Sequence, residues 1–132
     1  MLLRISVALS ALIYLALIPA LEIGPTHVSN PDWPAHARLH EVWQLTSNAL
    51  LSLLALWLVW RTSQASTGGL IAFFINIGFL AAYFSAETYG GSMVHSDGSE
   101  LLVFGVNPAL AVVALVTVGI AMSLVRHPRQ AA

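Results

Sequence analysis

Cysteine is absent from this sequence, and so is lysine. Without a thiol there can be no disulfide, no thiolate metal ligand and no cysteine nucleophile. Charge is scarce as well: 8% of residues are charged, where a soluble domain carries about 25%. A chain so composed cannot cover its own surface with charge, and lipid is its natural solvent. The formal net charge of −1 gives no whole-chain attraction to nucleic acid. There is no glycine-rich phosphate loop; Gly68-Gly69 and Gly90-Gly91 read as helix breakers or turns. No serine has a recognisable nucleophile setting, and no histidine lies mid-helix where a heme would need it. Inverted-repeat similarity is also missing, which argues against transport by a single chain, although a homo-oligomer could form a pore.

What is present is 58% hydrophobic residues, arranged in four runs near the ~20 residues that a membrane-crossing helix requires. The expectation is an all-α integral membrane four-helix bundle, one transmembrane domain over 1–132, with helices about 5–21, 34–60, 70–87 and 101–125. Outer loops are expected at about 22–33 and 88–100. The rival reading of 1–20 as a signal peptide is weakened by Ile18-Pro19-Ala20, which lacks the small-x-small cleavage pattern. Arg4, Arg61, Arg126 and Arg129 flank helix ends that fall on one side of such a bundle, and Arg38 alone on the other. The positive-inside rule then puts both termini in the cytoplasm. The protein is expected to be multi-pass, in the plasma or inner membrane if bacterial, with its polar groups on the extracytoplasmic side. Trp33 and Trp43 near one end of the second helix, and Trp57 and Trp60 near the other, fit interfacial aromatic belts.

That topology sends all six acids and four of the five histidines to the outer side, leaving His127 in the cytoplasm. The stretch "THVSNPDWPAHARLHEVW" at 26–43 holds three of those histidines. Its first part, rich in proline, glycine and asparagine, reads as a stiff loop, and the second helix is expected to begin near Pro34. At about 100° per residue, His36, His40, Glu41, Gln44, Ser47 and Asn48 form a polar stripe on that helix. The third helix aligns Asn76, Tyr83 and Glu87 on one face, beside a ladder of Gly78, Ala82 and Ala86 that would allow close helix approach. The fourth is expected to carry Asn107-Pro108 two turns inside, freeing the carbonyl of Phe104. Tyr14 and Glu22 come from the first helix. Polar groups within a membrane turn toward protein or a water-filled cavity, so an outward-opening pocket is expected, roofed by the two outer loops.

Three functions follow for such a pocket. His36 and His40 at i, i+4 have the spacing with which a helix grips a metal ion. With His27, His95 or a carboxylate they would make a site for zinc, copper, iron or manganese. Residue 37 is Ala, so the zinc-protease motif is excluded. Alternatively, a metal-free site would use Glu87 with Tyr83, or Glu22, as acid or base, and a histidine such as His40 as partner. It would isomerise or cyclise a lipophilic small molecule entering from the bilayer, with Trp33 and Trp43 available to a developing cation. The third reading is a non-catalytic accessory or structural subunit whose histidines meet water and headgroups.

Thr26-His27, Asn30-Pro31, Trp33-Pro34 and His36-x-Arg38-x-His40 resemble the signature of small four-span bacterial and fungal membrane proteins of unassigned function. The resemblance covers the first outer loop and the start of helix two and implies no activity. The four-span size is also similar to that of the membrane glutathione-dependent enzymes, whose second helix opens on Arg-Ala-His-x-Asn-x-x-Glu. Here that region reads His36-Ala37-Arg38-Leu39-His40-Glu41, and the arginines that glutathione would need are lacking.

Overall fold

The computed structural model describes residues 1–95 and 97–126; His127 and Arg129 lie outside the described residues. Four helices are long and apolar enough to cross a membrane: α1 (Leu2–Glu22), α2 (Ala35–Arg61), α3 (Ala65–Phe84) and α5 (Pro108–Arg126). A short α4 (Ala86–Tyr89) follows α3. Among the described residues there is no strand, only an isolated bridge between Val103 and Val106.

Going around the bundle, α2 packs on α3, α3 on α5, α5 on α1 and α1 on α2, with α1 also touching α3 across the diagonal. One apolar cluster gathers Leu3, Val7, Ala55, Val59, Ala72 and Ile120. A second gathers Ile13, Tyr14, Ile75, Leu80 and Val113. Between them the fully buried Asn76 donates to Ser10 Oγ (2.6 Å) and to the Ala72 carbonyl (2.7 Å), tying α3 to α1. The outside is apolar too, with Leu50, Phe74 and Leu115 exposed. The Arg4 guanidinium stands 5.4 Å over the Trp60 ring, so the start of α1 and the end of α2 share one end of the bundle. Glu22 and the loops after α1 and α4 occupy the opposite end.

Several boundaries differ from the sequence expectation, each for a physical reason. Gly68 and Gly69 do not break a helix; they are buried inside α3. A Cβ at Gly68 would sit 2.7 Å from the Ala55 carbonyl oxygen, and one at Gly69 would sit 2.8 Å from Leu3 Cδ1. These glycines let helix backbones approach closely, the usual role of small residues between apolar helices. The Gly78–Ala82–Ala86 ladder has no such role, since a Cβ at Gly78 would meet nothing within 4 Å. α3 stops at Phe84, where the Ser85 hydroxyl donates to the Ala81 carbonyl (2.7 Å). This interruption breaks the shared face expected for Asn76, Tyr83 and Glu87.

α5 begins at Pro108, not near 101. Asn107 Oδ1 accepts from the Ala109 N–H at 3.0 Å, an N-cap, and Pro108 takes the first helical position, where a missing N–H costs nothing. The Phe104 carbonyl is therefore not orphaned by Pro108. Residues 103–106 instead form a tight turn with positive φ at Phe104 (52°) and Gly105 (77°), leaving Phe104 fully exposed.

α1 contains a π-turn at Ile13–Leu17, closed by the Ile18 N–H on the Ile13 carbonyl. Pro19 explains its position. It can neither donate to the carbonyl four residues back nor tolerate that carbonyl in α geometry, and the wider turn relieves both.

Candidate functional site

α2 and α3 use one pair of faces for two different purposes. Near their connection, Ala55, Leu58 and Val59 close on Gly68. Further along, the residues in line with that seam are Glu41, Gln44, Asn48 and Leu51 on α2 and Ile71, Ile75, Phe79 and Ala82 on α3, by about 100° per residue. These residues line a cavity of about 880 Å³. α1 supplies Tyr14, Ile18 and Glu22 to it, and the loops supply His27, Trp33 and the 92–95 stretch. Leu51 and Phe74, both lining residues, are also exposed at the bundle surface.

The polar end is built by two loops that meet. After Glu22 the chain runs through successive turns: the His27 N–H donates to the Gly24 carbonyl, Val28 to Glu22, Asn30 to His27 and Trp33 to Asn30. Asn30 also accepts from the Asp32 N–H at 2.9 Å, as asparagine does in turns. His27 is thereby held with Nε2 3.2 Å from Glu22 Oε2. On the other loop, the His95 N–H donates to the Ser99 carbonyl (2.8 Å) and the Gly98 N–H to the His95 carbonyl (2.9 Å). Asp97 accepts from both the hydroxyl and the N–H of Ser99, and these bonds hold its carboxyl below its ordinary pKa. The turn presents the His95 ring edge-on to His27, with centroids 4.9 Å apart; Trp33 packs on His27 at 5.0 Å.

The state of His27 follows from its partners. With Glu22 ionised and His27 neutral, Nε2 carries the proton and Nδ1 accepts from the Thr26 hydroxyl at 3.0 Å. Burial pushes the His27 pKa down, repulsion from His95 adds to this, and Glu41 pulls the other way. Thr26 does not line the cavity; it fixes the tautomer and is not placed as a nucleophile.

The expected site residues therefore separate. Glu22, His27 and His95 come together at the cavity. His36 and His40 form a different, exposed pair, their Nε2 atoms 3.0 Å apart and their rings 4.4 Å apart. His40 lines a separate shallow groove with Trp43 and Ser47. The four histidines thus do not form one ligand set. Among the described residues, no group of three or more His, Asp or Glu side chains is placed to hold a metal ion. Glu87 and Tyr83 are exposed and do not line the cavity; Glu22 does, with His27 beside it. Glu41, Gln44 and Asn48, at i, i+3 and i+7 in the polar stripe of α2, complete the polar lining beside Glu22 and His27.

No family model matches the chain, and neither a curated protein nor a solved structure is significantly similar to it.

Proposed function

We propose that the chain is a multi-pass integral membrane protein whose cavity binds an amphipathic lipophilic molecule and exchanges protons with its polar end through Glu22 and His27. Four apolar helices support residence in a membrane. Arg4, Arg61 and Arg126 stand at the bundle end away from the cavity mouth, so the positive-inside rule favours cytoplasmic termini and an extracytoplasmic mouth. The exposure of the lining residues Leu51 and Phe74 supports entry from the bilayer between α2 and α3. Ile71, Phe74, Ile75 and Phe79 suit an apolar frame, while Glu22, His27, Glu41 and His95 suit its polar end. This division matches small-molecule sites generally, where apolar walls carry a few converging polar groups.

The observation that carries the reading is the Glu22–His27–His95 cluster at one end of a mostly apolar gap. A carboxylate in contact with a neutral imidazole away from bulk water can take up and return a proton. The reaction class is then proton transfer, as in isomerisation, without a metal ion in the step. The test uses purified protein in lipid nanodiscs with hexadecanol bearing a chain-terminal diazirine. Photolabelling is expected to concentrate on peptides carrying Leu51, Ile75 and Phe79, and to fall several-fold in a Glu22→Gln/His27→Gln variant. Labelling spread evenly over outward residues such as Leu50 and Leu115 would contradict the reading.

One observation favours a second reading. The 3.0 Å approach of the His36 and His40 Nε2 atoms suits capture of a divalent transition metal completed by outside ligands. Metal content that is substoichiometric, and unaltered by His36→Ala/His40→Ala, would dismiss it.

A further inference from the structure

Residues 101–106 carry no charge and no hydrogen-bonding side chain, yet they stand outside the bundle core. Leu101, Leu102, Val103, Phe104 and Val106 are all exposed, and none lines the cavity. The backbone holds them in a tight turn, in which Val103 and Val106 exchange both backbone hydrogen bonds, at 2.9 and 3.1 Å. Phe104 and Gly105 take the two central positions with φ of 52° and 77°, where Asn-Gly is the favoured pair. Among the described residues Phe104 is the one non-glycine with positive φ, a costly conformation for a bulky side chain. Strain of this kind persists where a position has a task. No packing inside the protein rewards the ring, because it is fully exposed.

We propose that residues 101–106 are a membrane anchor, with Phe104 inserted among the lipids of the leaflet at the cavity-mouth end. The proposal rests on the membrane residence proposed above and is independent of what the cavity binds. Depth along the bundle argues for it. α5 has 19 residues, Pro108–Arg126, a length of roughly 28 Å at 1.5 Å per residue, and the hydrocarbon core is about 30 Å thick. With Arg126 at the cytoplasmic boundary, Pro108 lies at the opposite edge of the hydrocarbon, and Asn107 alone separates it from the turn. The base of the turn is polar, where the Asn107 amide donates to Glu100 Oε1 at 3.5 Å. A polar base with an apolar tip suits the layer between headgroups and acyl chains, where aromatic side chains collect. The mutual bonds of Val103 and Val106 also reduce the number of backbone groups stripped of water on insertion. To a protein partner the six residues offer no ion pair and no side-chain hydrogen bond, whereas lipid requires neither.

The test places the fluorophore NBD on single cysteines in phosphatidylcholine nanodiscs. The positions are Phe104→Cys, Asp97→Cys on the exposed part of the same loop, and Leu115→Cys on the outward face of α5. Quenching by a lipid with a nitroxide near its headgroup is expected to be several-fold stronger at 104 than at 97, and quenching by aqueous iodide several-fold weaker. Leu102→Cys supplies the same comparison if Phe104→Cys does not fold. Equal iodide quenching at 104 and 97 would overturn the anchor, because the tip would then stand in water. Protection of 104 from both quenchers would overturn it too, because protein would then cover the tip. If a lipid nitroxide reaches the probe at 115 but not the one at 104, the bundle stays in the membrane and only the anchor falls. Iodide quenching at all three positions would remove membrane residence itself.

Discussion

Between Ala55 and Gly68 the backbones of α2 and α3 nearly touch, whereas between Asn48 and Phe79, on the same two faces, they enclose a cavity. The difference lies in side-chain size and polarity. Gly68, Gly69, Ala55 and Ala72 are small and buried, and they allow close packing. Toward the other end the facing residues are Glu41, Gln44, Asn48 and Phe79, which are too large or too polar to close on one another. A tight seam at one end lets the bundle hold an open gap at the other. The Asn76 bond to Ser10 fastens α3 to α1 close to where the two regimes meet.

The largest expected effect comes from attacking the seam. Gly68→Leu would drive a side chain into the Ala55 carbonyl and Val59, and should destabilise by about 3 kcal/mol, the upper part of the overpacking range. Gly78→Leu, where a Cβ meets nothing within 4 Å, should change stability by less than about 0.5 kcal/mol. Denaturant titration of the two variants in one detergent compares them directly. Equal losses would mean that the helices run parallel throughout and that the gap closes.

The smallest expected effect concerns the mouth. His27 titrates below the ordinary histidine value of 6.5 because it is buried and faces His95. Above 6.5 it is neutral in both folded and unfolded chains, and its contribution is fully present. As pH falls through that value the unfolded chain takes up the proton first, so stability declines until the folded-state pKa is also passed. Thermal melts from pH 7.5 to 5 should show this loss, and His27→Gln should flatten it. An unchanged slope in the variant would show that His27 is not the group responsible.

Much of this arrangement was legible in the sequence, and the failures are instructive. Four apolar runs located the helices, and chain direction alone sent Glu22, His27 and His95 to one end. The i, i+4 spacing of His36 and His40 foretold their contact. It could not say which way they face, because a stripe from His36 through Asn48 is broad enough to line two grooves. Gly68-Gly69 looked like a breaker because glycine weakens isolated helices; packed against Ala55, the same residues close a seam. Asn107-Pro108 fits a helix interior poorly and a helix start well, and the apolar 101–106 stretch disguised that start. Residue counting puts Glu87 on the face of Asn76 only if the helix continues through Ser85, and it stops there.

The most direct measurement exploits the absence of cysteine. Asn48→Cys and Ser52→Cys lie one turn apart on α2, the first in the gap and the second buried at 2% exposure. In nanodiscs, a water-soluble maleimide should label Asn48→Cys readily and leave Ser52→Cys unmodified, and hexadecanol should protect Asn48→Cys. If the cysteine at 48 proves as unreactive as the one at 52, α2 and α3 are closed along their whole length, and the cavity on which the proposed function depends does not exist.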